Sequence, residues 1–168
     1  MTVPEFPDFP DNSTLWVYAF AEPLDAAGAR IVSDALAAFI AQWNSHGDKV
    51  HGTFTIYADR FALMVSRPES TVSGCSIDST VRLFKALKAE HGLDGLASNL
   101  VYFRSGDQVL ADSRSGFKAR VAAGEVTAQT LVYDLSVTEL GALRQGRFEL
   151  ALADSWHARA FLPATAKG

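Results

Sequence analysis

The hydrophobic positions of this chain follow two different periods, and the changes between them mark the predicted elements. "LWVYAF" (15–20) has the aromatic and β-branched content of a strand, with Trp16, Tyr18 and Phe20 on one face. "PLDAAGARIVSDALAAFIAQWNSHG" (23–47) then turns to helical spacing, repeating Val32, Leu36, Phe39, Ile40 and Trp43. Asp25 is the expected N-cap, and Gly47 the expected left-handed stop. In "HGTFTIYADRFALMVSR" (51–67), Phe54, Ile56 and Ala58 alternate with Thr53, Thr55 and Tyr57. This predicts a hairpin turning at Asp59–Arg60.

"PESTVSG" is a loop of turn formers, followed by a helix that runs to Gly92. "NLVYFRSGDQVLAD" predicts a second hairpin with its turn at Ser105–Gly106–Asp107, and "SRSGFKARVAAG" a short helix. "QTLVYDLSV" reads as a strand, "TELGALRQ" as a helix capped by Thr138, and "RFELALADSW" as a last strand. Hairpins mixed with helices, in place of strict βα alternation, predict a single α+β domain over 14–162. Its expected form is one antiparallel-rich mixed sheet of six to seven strands, carrying two main and two short helices. Residues 1–13 form an extended lead-in and 163–168 a frayed tail.

Composition narrows the classes. In 168 residues, 48% are hydrophobic and 20% charged, as in ordinary globular proteins. The net charge of −4, with no basic run, argues against a nucleic-acid partner. Apolar runs such as "ALAAFIA" are too short for a bilayer, so no membrane partner is expected. The acidic, proline-containing start lacks the basic and apolar blocks of a signal peptide. A single cysteine permits no internal disulfide and no CxxC pair, which makes the reducing cytoplasm the expected compartment.

That cysteine, Cys75, is the focus of the candidate chemistry. It stands in "TVSGCSIDSTVRLFKALKAEHG" (71–92), at the start of a predicted helix. At about 100° per residue, Thr80, Val81, Phe84 and Leu87 cluster with Ile77, while Cys75, Ser79 and Arg82 fall opposite, near Asp78. A helix N-terminus lowers a thiol pKa, Asp78 opposes that, and an Asp78–Arg82 pair would relieve the opposition. Two readings stand: a reactive thiolate, or a small space-filling residue.

A catalytic thiol needs an imidazole. Of His46, His51, His91 and His157, the first and third read as cations at helix C-termini and His51 as solvent-facing. His157, in "DSWHARAF" just past a predicted strand, is the expected base, beside a packing Trp156. Asp154 and Asp59 are the candidates to orient it. Arg60 and Arg82 are candidate anion contacts, each read otherwise as solvated surface. In the space-filling alternative, Gly74 supplies an unusual backbone angle and Ser73 or Ser76 the helix cap.

No cofactor is expected, because GxxxxGK[ST], GxGxxG after a strand, HExxH and GxSxG are all absent. A Cys75/His46/His157 metal set is too scattered to be specific, so no metal site is expected. Arg82 lies down the side of the helix, where a phosphatase loop would not place its arginine.

"QWNSHG", "ADRF", "SGCSIDSTV" and "DSWHARAF", in that order, resemble a family of small bacterial proteins often labelled "ABC transporter ATPase". The resemblance runs from about Trp16 to Phe161, with "SGCSID" its most specific piece. The label implies ATP hydrolysis, which a chain without a Walker A loop or an LSGGQ-type signature does not support. What the resemblance implies is a small cytoplasmic bacterial domain, with no mechanism attached. The expected function is binding or interaction with a small molecule or protein, including a homodimer through the aromatic strands. The alternative is a thiol-dependent enzyme or redox sensor built on Cys75 and His157.

Overall fold

In the computed structural model, residues 2–70, 72 and 74–164 are described, with Cys75 represented by its backbone alone. Strand β1 (Thr14–Ala19) is followed by helix α1 (Ala26–Ala41), the short strands β2 (Asn44–Ser45) and β3 (Asp48–Lys49), and the hairpin β4 (Gly52–Tyr57) and β5 (Phe61–Ser66). Helix α2 (Gly74–His91) leads to the hairpin β6 (Val101–Ser105) and β7 (Gln108–Asp112). Then come α3 (Arg114–Ala122), β8 (Leu131–Tyr133), α4 (Leu140–Arg144), β9 (Glu149–Ala151), a 3-10 turn (Leu152–Asp154) and α5 (His157–Phe161).

The class is α+β with antiparallel pairing throughout, and the strands divide among three sheets where one was expected. One sheet has the order β1-β5-β4, another β7-β6-β8-β9, and β2 and β3 pair separately. Side-chain alternation explains the layering. On β5, Phe61, Leu63 and Val65 join a core with Tyr102, Tyr133 and Phe148 from the second sheet's side. Ala62 and Met64, on the opposite face, pack beneath α1 and α2 with Val32, Leu36, Phe84 and Leu87. On β6, Tyr102 faces the first sheet, while Val101 and Phe103 face Phe117 of α3 and Phe161 of α5. Two sheets therefore stack face to face, each covered outside by helices. This is why all six residues of β5 are buried.

β1 follows the sequence pattern: Trp16, Tyr18 and Phe20 lie on the helix side, and Leu15 and Ala19 between the sheets. Among the described residues, the large hydrophobics left exposed are Ile77 and Trp156. Most aromatic side chains of the strands are thus packed into these cores.

Turn chemistry accounts for most boundary differences. Asp25 caps α1 by accepting from Gly28 N–H at 2.7 Å. The helix then ends at Ala41, well before Gly47. His46 and Gly47 both take positive φ (53° and 85°) and form the two-residue turn between β2 and β3, a primed hairpin turn. His46 is therefore a turn residue and does not close the helix. The β4–β5 tip falls on Ala58 and Asp59, both left-handed, one residue before the expected pair. Gly92, at φ +69°, stops α2 as expected, with Leu93 N–H reaching back to Leu87 C=O. Glu139, not Thr138, occupies the α4 cap position, and the chain after β9 coils into the 3-10 turn and α5 where a continuous strand was expected. Of the tail, Thr165–Gly168 lie outside the described residues.

Arg60, expected at the surface, is instead buried between the sheets at 4% exposure. Its Nη2 and Nε donate to Val109 C=O (2.8 and 3.2 Å), and Nη1 donates to Ala21 C=O (2.8 Å) and Phe20 C=O (3.3 Å). Burial pulls its pKa below the ordinary arginine value. The planar fork reaches acceptors on both sheets at once, which a lysine cannot do. Replacing it leaves three carbonyls to find other partners. Arg60→Met is expected to lower stability by about 2–4 kcal/mol in urea unfolding, with Arg60→Lys rescuing less than half.

Candidate functional site

A cleft of about 520 Å³ opens at one end of the four-stranded sheet, within the size range of ligand pockets. Ser98, Asn99 and Leu100 bound it before β6, Val101 begins that strand, and Tyr133 to Ser136 line it at the end of β8. Arg114 of α3, with Trp156 and His157 at α5, completes the wall.

Each side chain is held by local geometry. Arg114 is the first residue of α3, whose N-terminus is capped by Ser113 accepting from Gly116 N–H at 3.0 Å. Asp112 anchors the same end: its carboxylate accepts from Arg120 Nε at 2.7 Å, and Arg120 holds it below the usual carboxylate pKa. Asp112 fills the space where a side chain on Gly116 would sit, 2.0 Å from an added Cβ. Arg114 itself lies over the rings of Trp156 (5.9 Å) and Phe161 (5.3 Å) and makes no ion pair among the described residues.

Asp134 follows β8, which is fixed from inside. Tyr133 accepts from Arg104 Nη2, and Arg104 pairs with Glu149 at 2.6 Å. Burial raises the Tyr133 phenol to about 12. Asp134 Oδ1 accepts from the Ser136 N–H and hydroxyl and from Trp156 Nε1 at 3.2 Å. These bonds all fall on Oδ1, so Oδ2 keeps its capacity. Trp156 is 47% exposed and stacks on His157 with ring centres 3.8 Å apart.

His157, expected just past a strand, is buried at the start of α5, which follows the 3-10 turn. Ser155 Oγ accepts its backbone N–H and lies 2.6 Å from Nδ1. A hydroxyl has one donor and two acceptor sites, so either Ser155 Oγ or His157 Nδ1 can donate across this bond. Burial lowers the ring pKa to about 4, against a smaller raising effect of Asp134. The imidazole is neutral, and its Nε2 bonds to no described residue.

The residues expected to act together are split between layers. α2 packs against α1 and β2 on the outside of the three-stranded sheet, and among the described residues none of α2 lines the His157 cleft. The Cys75 side chain lies outside what is described. Gly74 is helical, is exposed and has open space around its Cα, so no unusual backbone angle is needed there. Ser76 lies inside the helix and donates to Asn44 C=O at 2.7 Å, tying α2 to β2 in place of capping. Ser73 lies outside the described residues.

The buried stripe of α2 is Ser76, Thr80, Phe84 and Leu87. It is rotated so that Ile77 is exposed. Asp78 and Arg82 are both exposed and make no ion pair with each other. Asp154 ends the 3-10 turn and does not line the cleft, and Asp59 sits at the β4–β5 tip. Among the described residues, no group of three His, Cys, Asp or Glu is placed to hold a metal ion, and no helix is long and apolar enough to cross a membrane.

Arg114 and Asp134 escape sequence reading because neither stands in a motif. The available signal was the Asp-Ser before a helical run, which marks a cap and so places Arg114 at a helix start.

Two outcomes follow from the site. The unfolded chain binds a proton at histidine below about pH 6.5, while folded His157 resists protonation down to about 4. Stability contributed by the neutral ring is therefore lost as pH falls through that window, by about 3 kcal/mol in all. His157→Gln is expected to flatten this slope in urea unfolding measured at several pH values. On α2, Gly74→Ala is expected to change stability by less than about 0.5 kcal/mol, and Ser76→Ala to cost about 1 kcal/mol.

No protein-family model, curated protein or solved structure matches this chain.

Proposed function

We propose that the protein is a binding module whose ligand is a small molecule seated in the Trp156–His157 cleft. The observation that carries this is a half-exposed indole beside an arginine that makes no ion pair among the described residues, at the mouth of a cavity of ligand size. Apart from Ile77, the other large hydrophobics among the described residues are covered, so leaving Trp156 open forgoes about 1–2 kcal/mol of burial that folding would otherwise use. Rigid aromatic side chains next to convergent polar groups are what a ligand site requires. Compartment follows from the single cysteine, and we place the protein in the cytoplasm on that ground.

Thiol chemistry, the other reading, has less support. Its proposed base is a neutral ring of low pKa already bonded to Ser155, on the outer layer opposite to α2.

A thermal-shift screen of small polar metabolites tests the choice. A ligand present at 100 times its Kd adds about 2.7 kcal/mol, enough to raise Tm by several degrees. Stabilising compounds are expected to lose their effect on Trp156→Ala and keep it on Cys75→Ser. Loss on Cys75→Ser with retention on Trp156→Ala would overturn the cleft and favour the thiol.

A further inference from the structure

The polar groups of the cleft define its ligand more narrowly than size does. Arg114 and Asp134 carry opposite charge and flank the same indole. The guanidinium lies over the ring face, and the carboxylate bonds the Nε1 edge. They nevertheless form no ion pair with each other. Among the described residues Arg114 donates no hydrogen bond, Asp134 Oδ2 accepts none, and His157 Nε2 has no partner, which makes it a neutral donor when the ring proton sits there. Oxygen anions are recognised by such donor pairs, and ammonium groups by a spare carboxylate oxygen. Leu100, Leu135 and Trp156 supply an apolar wall between them.

Resting on the cleft as the binding site, we propose that its ligand is a small zwitterion with an apolar or aromatic side group, the chemical class of a free α-amino acid. Its carboxylate pairs with Arg114 and His157 Nε2–H, its ammonium with Asp134 Oδ2, and its side group lies against Trp156. A purely anionic ligand would leave Asp134 facing it without compensation. A purely cationic one would do the same with Arg114. Either mismatch weakens binding, because a desolvated like charge opposes the ligand.

Charge-deleted probes test this directly. L-phenylalanine, its N-acetyl derivative and its amide are titrated by calorimetry, with tryptophan fluorescence read in parallel. The zwitterion is expected to bind at least tenfold more tightly than either derivative. Asp134→Asn should bring the N-acetyl form level with phenylalanine, and Arg114→Gln should do the same for the amide. Both residues lie at the surface of the cleft, and circular dichroism checks that each variant is folded. If the N-acetyl form or the amide binds wild type as tightly as phenylalanine, and Trp156→Ala abolishes that binding, the zwitterion is wrong and the cleft stands. If no probe binds, the zwitterion is overturned. If probes bind equally to wild type and Trp156→Ala, the cleft itself is overturned.

Discussion

A guanidinium sealed between two β-sheets sets the terms for the whole fold. Arg60 follows the β4–β5 tip, and its donors end on carbonyls of the β1 exit and of β7. A buried cation is tolerated only where its hydrogens are accepted, so the two sheets are held at one relative position. Around it, Tyr57, Phe61, Tyr102, Tyr133 and Phe148 meet mostly edge-on or tilted at ring distances from 4.9 to 6.2 Å, with Tyr57 and Phe61 nearly parallel at 6.5 Å. Arg60 supplies geometry and the rings supply burial. Neither suffices alone, because apolar contact is non-directional and a polar clamp contributes little net free energy.

From that inner layer the site follows outward. Locking β6 and β8 in register sets where β8 ends and Asp134 emerges. α3 and α5 cover the outer face of the same sheet through Phe117 and Phe161, which meet edge-on at 4.9 Å. Arg114 and Trp156 sit at the starts of these two helices and so arrive at the end of β8 together. The cleft is a seam where two covering helices stop short of the strand ends. The chemistry it offers is positioning, with a neutral imidazole, one cation and one anion each held by a neighbour.

The N-terminal segment shows the same economy. In place of the extended form expected from its prolines, it makes two turns, closed by Phe9 N–H to Phe6 C=O and Ser13 N–H to Pro10 C=O, and it is strapped down. Arg144 donates to the carbonyls of Glu5, Phe6 and Phe9 and pairs with Asp11, while Val3, Phe6 and Phe9 pack on the inter-sheet core. Aromatic residues in a lead-in thus extend the core past the edge of the sheets.

Local information in the chain was enough for the class and for most elements, with β2–β3 and α5 the exceptions. Period-two and helical spacing located β1, β4–β5, β6–β7, α1 and α2. Asp25 and Gly92 marked a start and a stop through capping chemistry that depends on neighbours within one helical turn. His46–Gly47 was misread because glycine serves a helix end and a primed turn equally well, and only the pairing of β2 with β3 decides between them. The pairing of Cys75 with His157 was a guess about distance across the fold, and periodicity carries no such distance. Burial of Arg60, the stacking of two sheets and the meeting of Arg114, Asp134 and Trp156 all join residues far apart in sequence. The chain by itself determined most of the elements, whose forces are local. The tertiary structure alone decided the site, because only packing selects which distant polar groups share a cleft.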